Sequence, residues 1–221
     1  YPAGKDALNG FKRGYKTAAS QEVYTKLGQI DYAAELAQIR DAKPDAIYIF
    51  LPGGMGINFI KQFVSAGLNQ SIKIVGPGFS ADEDVIRAVG EPMIGMFNTA
   101  QWAHDLDNAQ NKAFVAAFRK EYNNRQPSVY AAQAYDTIMA IDAAVKAVGG
   151  KVADRTAVVT ALKKADFPSV RGPFKYGVNN FPIQPYYVRV IEKAADGSIT
   201  NKLVGKVFDS YQDVYVGECK K

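Results

Sequence analysis

The run from Asp45 to Gly67 (DAIYIFLPGGMGINFIKQFVSAG) sets an apolar strand, a glycine-rich turn and a helix in immediate succession. No other feature constrains the fold as strongly. Ile47 to Leu51 is continuously apolar, as in a parallel strand covered on both faces rather than one with a wet face. Glycines at its end allow a tight turn, and the helix that follows aims its first backbone N–H groups at the ligand edge of an α/β sheet. A crevice for a small molecule is the first expectation.

The same outline recurs on either side. Gly4 to Lys16 reads as an amphipathic helix with Ala7, Leu8, Phe11 and Tyr15 on one face, and Glu22 to Leu27 reads as a strand. Asp31 then caps a helix over Tyr32 to Ala42 that stops before Pro44. After the strand Ala46 to Leu51, a helix is expected over Ile57 to Ala66, ending at Gly67. Ile72 to Val75 is a third strand closed by Gly76-Pro77-Gly78. The acidic run Asp82-Glu83-Asp84 after Ser80 suits a helix start, and Met93 to Gln101 is a fourth strand. Alternating βα units of this kind predict an α/β fold with an open, mostly parallel sheet flanked by helices.

Beyond Gln101 the pattern changes. Helices are expected over Asn108 to Tyr122, Ser128 to Val148 and Asp154 to Ala165. Strands follow over Arg171 to Tyr176, Pro185 to Glu192 and Thr200 to Phe208, with Asp196-Gly197 as a hairpin turn. The helix 128–148 carries Tyr135, Ile138, Met139, Ile141, Asp142 and Val145 around much of its circumference. These helices have apolar faces and no strands of their own to cover.

Composition excludes several classes. With 221 residues, 48% hydrophobic and 22% charged, the chain reads as globular rather than disordered. The net charge is +5, but 27 Lys and Arg are scattered among 22 acids. The basic clusters Lys12-Arg13, Lys163-Lys164 and the last two lysines suit solvated faces, so no nucleic-acid partner is expected. No stretch approaches the roughly eighteen apolar residues of a membrane span. The N-terminus shows no signal pattern, so an export signal is expected to have been removed or to lie outside the sequence. Cys219, the lone cysteine, can form neither an internal disulfide nor a structural zinc site.

The order of YPAGKDALNGFKRGY, GQIDYAAELAQIRDAKPDAIYIFLPGGMG, GPGFSADED, PSVYAAQAYDTIMAIDAAVKAVGG and SVRGPFKY resembles the carboxyl-terminal part of a type I periplasmic solute-binding protein. Among these it is similar to the branched-chain amino acid (Leu/Ile/Val-binding-like) receptors of ABC transporters. The resemblance covers essentially the whole chain and implies one lobe essentially present and the other incomplete. Residues 1–101 would form the second lobe, and 102–182 helices and strands of the first lobe, whose main sheet is absent. Residues 183–221 would return to the second lobe as a β-rich tail. It also implies a periplasmic receptor that hands a small carboxylate to an ABC permease, without cofactor, metal or catalysis. If the chain stops here, the uncovered helix 128–148 predicts self-association through Tyr135, Ile138, Ile141 and Val145.

The site residues follow. The turn Pro52-Gly53-Gly54 stands where backbone N–H groups can take a carboxylate oxygen; the alternative is a tight turn with no ligand. It is not a dinucleotide fingerprint, because Phe59 replaces the third glycine of G-x-G-x-x-G and no ribose-holding acid follows. Phe79 sits at the crevice end of the third strand. Amino acid-binding relatives carry there an acid that pairs with the ligand's ammonium group, whereas this chain has no acid until Asp82. The departure favours an aromatic wall and an aromatic or apolar carboxylate over leucine-like ligands; the alternative is ordinary core. Tyr1 matches, by the resemblance, a cleft-lining tyrosine. Trp102, the only tryptophan, is placed with Gln101 to lie over a bound ring, or else to pack in a hinge.

Enzyme chemistry has little support. His104 is the sole histidine, in a loop beside Asp105 and Asp107, and neither a G-x-S-x-G elbow nor an H-E-x-x-H is present. Asp82-Glu83-Asp84 does not converge on one point as a metal site would. Two alternatives to a transport receptor of aromatic acids remain: branched-chain amino acid binding, and a ligand-sensing domain of a receptor or regulator.

Overall fold

The computed structural model describes residues 1–219, so the last two lysines lie outside the described residues. The chain separates into two compact units, Tyr1–Asn98 with Val190–Thr200, and Thr99–Arg189 with the segment from Asn201 onward. The boundaries therefore fall at 98/99, 189/190 and 200/201, where the sequence suggested 101 and 182.

The first unit is built from α1 (Pro2–Gly14), α2 (Ala33–Ala42), β1 (Ala46–Tyr48), α3 (Gly54–Ser65), β2 (Lys73–Pro77) and α4 (Glu83–Val89). β1 and β2 are parallel, with Ala46 opposite Lys73, Ile47 opposite Ile74 and Tyr48 opposite Val75. The ladder continues past the strand's formal end, since Ile49 N donates to the Val75 carbonyl at 3.0 Å. Further along the chain, Gly95 N donates to the Ile191 carbonyl (2.8 Å) and Ile191 N to Met96 (3.1 Å). The core gathers Tyr32, Leu36, Ile49, Leu51, Phe59, Ile60, Phe63, Ile86, Met93 and Ile191. Phe63 and Tyr32 are fully buried, and burial of a phenylalanine of this kind contributes roughly 1.5–3 kcal/mol.

Three sequence expectations need correction here. Glu22 to Leu27 forms no strand. A strand exists only through a neighbour's hydrogen bonds, and this segment is held instead by side chains: Glu22 pairs with Lys12 and accepts from the Tyr24 hydroxyl, while Val23, Tyr24 and Leu27 stay exposed. Helix α3 starts at Gly54 rather than Ile57, so Gly54 and Gly56 belong to its first turn and Gly53 is its N-cap residue. Helix α2 starts at Ala33 with Tyr32 as its N-cap residue, so Asp31 stands one residue before the cap rather than at it, where its Oδ1 still accepts from Ala33 N at 3.0 Å.

Strand β3 (Phe97–Ala100), shorter than the Met93 to Gln101 expected, runs across the 98/99 boundary, and the second unit contains α5 (Ala109–Glu121), α6 (Val129–Ala147), α7 (Arg155–Lys163) and β4 (Lys175–Tyr176), with most of β5 (Pro182–Lys193) and β6 (Ile199–Tyr211). Asn108, Ser128 and Asp154 cap the three helices, their side-chain oxygens accepting from Asn111 N (2.7 Å), Ala131 N (3.2 Å) and Ala157 N (3.0 Å). β4 runs antiparallel to β5 and β6 pairs with β5, so the sheet strands are mixed in direction. The turn between β5 and β6 is the expected one, with Gly197 at φ +81° and Ala194 N donating to Ser198 O at 2.8 Å.

A buried polar knot holds α6 to the chain ahead of β4. Asp136 accepts from Ser169 Oγ (2.6 Å), Val170 N (2.9 Å) and Arg171 Nε (2.7 Å), and Arg171 also donates to Gln184 Oε1 (2.8 Å). The outer face of α6 leaves Tyr135, Ile138 and Ile141 exposed.

Candidate ligand-binding site

The glycine turn is shaped by one close approach. A Cβ on Gly56 would lie 2.5 Å from the Leu51 carbonyl oxygen, so only glycine lets the first turn of α3 come down onto the end of the β1 run. Gly53, at φ +53°, makes the reversal that precedes it. Gly53 and Gly54 are exposed and Pro52 is partly so. The first amides of a helix have no acceptor within it, and no side chain caps α3 at this positive helix end.

The same Leu51 carbonyl receives Ser80 Oγ at 3.2 Å. This bond ties the short 3-10 turn Gly78–Ser80, after β2, to the end of the β1 run. Phe79, the middle residue of that turn, consequently meets Phe50, with ring centroids 4.9 Å apart and planes at 82°. Phe50 also meets Tyr1, at 6.1 Å and 53°. The three rings are each partly exposed. Tyr1, Phe79 and the Pro52-Gly53-Gly54 turn thus belong to one unit, joined through Phe50 and Leu51.

Phe50 is the residue that sequence reasoning missed. The signal was present, because Tyr48 and Phe50 are two apart on a strand and so share a face. Tyr48 stacks on Phe11 at 4.7 Å, and Phe11 on Tyr15 at 5.1 Å. Burial raises the Tyr48 phenol above its ordinary pKa.

Asp82, the nearest acid after Phe79, is 1% exposed and serves as the N-cap residue of α4. The acidic run is more than a solvated helix start: Glu83 is also buried and its Oε1 accepts from Thr200 Oγ1 at 3.0 Å, while Asp84 pairs with Arg87 at the surface. Among the described residues no cluster of His, Cys, Asp and Glu is placed to hold a metal ion.

Gln101 and Trp102 belong to the other unit. Trp102 is 1% exposed, its Nε1 donates to Asn111 Oδ1 at 2.7 Å, and its ring meets Phe114 at 6.2 Å. Of the two readings open for Trp102, buried packing is the one this geometry favours, since its one polar atom is satisfied by a buried amide. Asn111 in turn donates to the carbonyls of Ala103, His104 and Leu106 and so fixes the loop ahead of α5. Gln101 is partly exposed beside it. His104 Nε2 lies 2.6 Å from the Asn201 carbonyl oxygen, which engages the ring in a structural bond.

The periplasmic binding protein family matches residues 1–197 of the chain. The Leu/Ile/Val-binding protein homolog 6 of Brucella melitensis is 32% identical over 209 residues, which is 91% of this chain and 53% of that protein. The chain therefore spans about half the length of the curated relatives it matches. Among solved structures, an ABC-transporter solute-binding protein of R. palustris in complex with benzoate is similar with a TM-score of 0.88 and 35% identity, covering 100% of this chain and 59% of that one. A second, from Rhodopseudomonas palustris BisB5 in complex with 3,4-dihydroxybenzoic acid, gives 0.87 and 35%, covering 99% and 60%. With a family match over most of its length, and with the α/β architecture of type I solute-binding proteins, this chain belongs to the periplasmic binding proteins.

Proposed function

We propose that the chain is part of an extracytoplasmic receptor that binds a small aromatic carboxylate and delivers it to an ABC permease. The observation that carries this reading is the ring wall of Tyr1, Phe50 and Phe79, which has no acid at the position after β2 where an ammonium group would be met. A ligand with an amino group would lose water there without gaining a charge partner, a cost of several kcal/mol. A planar acid faces no such penalty: its ring packs on the aromatic wall and its carboxylate takes the Gly53 and Gly54 amides of the turn after Pro52. The ligands of the two solved relatives, benzoate and 3,4-dihydroxybenzoate, have this chemistry.

In this reading the unit of Tyr1–Asn98 and Val190–Thr200 is the second lobe of a bilobed receptor, and the other unit carries helices of the first. The reaction is a binding equilibrium with no bond made or broken. Ligand that contacts both lobes only in the closed form drives closure by its differential affinity. The periplasm is the compartment the family implies. No helix among the described residues is long and apolar enough to cross a membrane.

Branched-chain amino acid binding is the second reading, favoured by the Leu/Ile/Val-binding relatives. A thermal-shift series separates the two, run on this chain and on a form extended at its amino terminus to the length of its relatives. A ligand that binds the folded state raises the midpoint by an amount set by RT ln(1 + [L]/Kd). Stabilisation by benzoate and not by leucine supports the aromatic reading. The reverse result replaces it with the second.

A further inference from the structure

The geometry points to Phe50 as a specificity-determining residue, one that makes the site discriminate planar aromatic acids from saturated acids of the same size. This rests on the aromatic-carboxylate reading above. Two aromatic side chains share one face of the β1 run, and α1 treats them differently. Tyr48 is covered by the Phe11 ring, centroids 4.7 Å apart, and Phe11 by Tyr15. Opposite Phe50 the helix places Gly4, from which a Cβ would stand 3.7 Å from Phe50 Cδ1 and 3.9 Å from Tyr1 Cε1. Gly4 and Phe11 are seven residues apart, two helical turns on one stripe, so the helix supplies a ring at one position and no side chain at the other.

The consequence is that Phe50 stays partly exposed with Phe79 edge-on to it and Tyr1 tilted beside it. With Phe79 at 82° and Tyr1 at 53° to Phe50, the rings present both edges and faces, and a further ring placed against them gains quadrupolar pairing that an aliphatic ring cannot. A leucine in place of Phe50 would keep most of the apolar area and lose that pairing.

The test measures benzoate and cyclohexanecarboxylate affinities by titration calorimetry on the amino-terminally extended form, for the wild type, Phe50→Leu and Gly4→Leu, with circular dichroism checking that each is folded. The unsubstituted protein is expected to prefer benzoate. Phe50→Leu should weaken benzoate about three- to tenfold and move cyclohexanecarboxylate less than twofold. Gly4→Leu, which covers the ring without removing it, should weaken both acids. If Phe50→Leu weakens both equally, or neither, the assignment is overturned while the aromatic reading stands. If the wild type binds neither acid, that reading falls and the assignment with it.

Discussion

Phe50 and Phe79 meet edge to face, 4.9 Å between centroids, although one ends the β1 run and the other sits in the turn after β2. The bond from Ser80 Oγ to the Leu51 carbonyl brings these two strand ends together. Removing one ring should therefore weaken ligand rather than the fold. Phe79→Ala, in the amino-terminally extended form, is expected to lower benzoate affinity at least tenfold, as truncation of an aromatic anchor does. Phe79→Glu should lower it further, by opposing the ligand's own charge. Calorimetric titration of the two variants checks the order.

The glycines of the site differ in what they tolerate. Gly56→Ala would push a methyl to 2.5 Å from the Leu51 carbonyl oxygen, a backbone atom that cannot step aside, and should destabilise the first unit by about 1–3 kcal/mol. Gly4→Ala meets Phe50 and Tyr1 only at ordinary contact distance and lies inside α1. That substitution should be neutral or stabilising by up to about 1 kcal/mol. Urea unfolding of both variants against the parent measures the contrast; equal destabilisation would refute the close-approach argument.

Asp136 is 1% exposed and its partner Arg171 is 9% exposed, so their pairing is largely out of water. Asp136→Ala leaves the guanidinium without its carboxylate and Ser169 Oγ and Val170 N without an acceptor. The expected cost is about 3–5 kcal/mol, read as a shift of the urea midpoint. Asp136→Asn keeps the shape and loses the charge, and should fall between the parent and the alanine variant.

The strand, turn and helix around Pro52 were legible from sequence because periodicity and glycine placement are local signals. The helix caps Asn108, Ser128 and Asp154 were legible for the same reason. What was not legible depends on neighbours. Glu22 to Leu27 has strand composition but no ladder, and nothing local to it reveals that. For Trp102 the sequence leaves a ligand-facing ring and a packed one both open, because its partner, Asn111, lies nine residues on, within a helix whose buried face has to be known first. Tyr1 and Phe79 were marked individually. That Phe50 joins them is a packing fact, visible in sequence only as the Tyr48/Phe50 spacing.

Burial raises the phenol pKa values of Tyr48, Tyr32 and Tyr187; at Tyr32 the Glu35 carboxylate adds to it, and at Tyr187 Lys206 opposes it. The folded state thus disfavours the phenolate relative to the unfolded chain, whose tyrosines titrate near pH 10. Stability from these groups is fully present below that pH and is lost as pH rises through the folded-state values. Tyrosinate absorbance followed against pH should show a late-titrating subset whose ionisation coincides with unfolding. Tyr48→Phe should reduce the loss of stability above pH 10, and an unchanged alkaline transition would contradict the assignment.

The outer face of α6 sets Ile138 at 64%, Ile141 at 46% and Tyr135 at 38% exposed on one helix. Apolar side chains grouped in this way form a patch that water penalises in proportion to its area, by roughly 25 cal/mol per Å² removed on contact. The 221-residue chain is therefore expected to self-associate as concentration rises, with dye binding to the patch falling as it does. Sedimentation velocity across a tenfold concentration range measures the first and a hydrophobic dye the second. Ile138→Lys combined with Ile141→Glu should return the chain to a monomer without moving its urea midpoint, because neither side chain is in the core. A parent chain that stays monomeric throughout would show that this face drives no association.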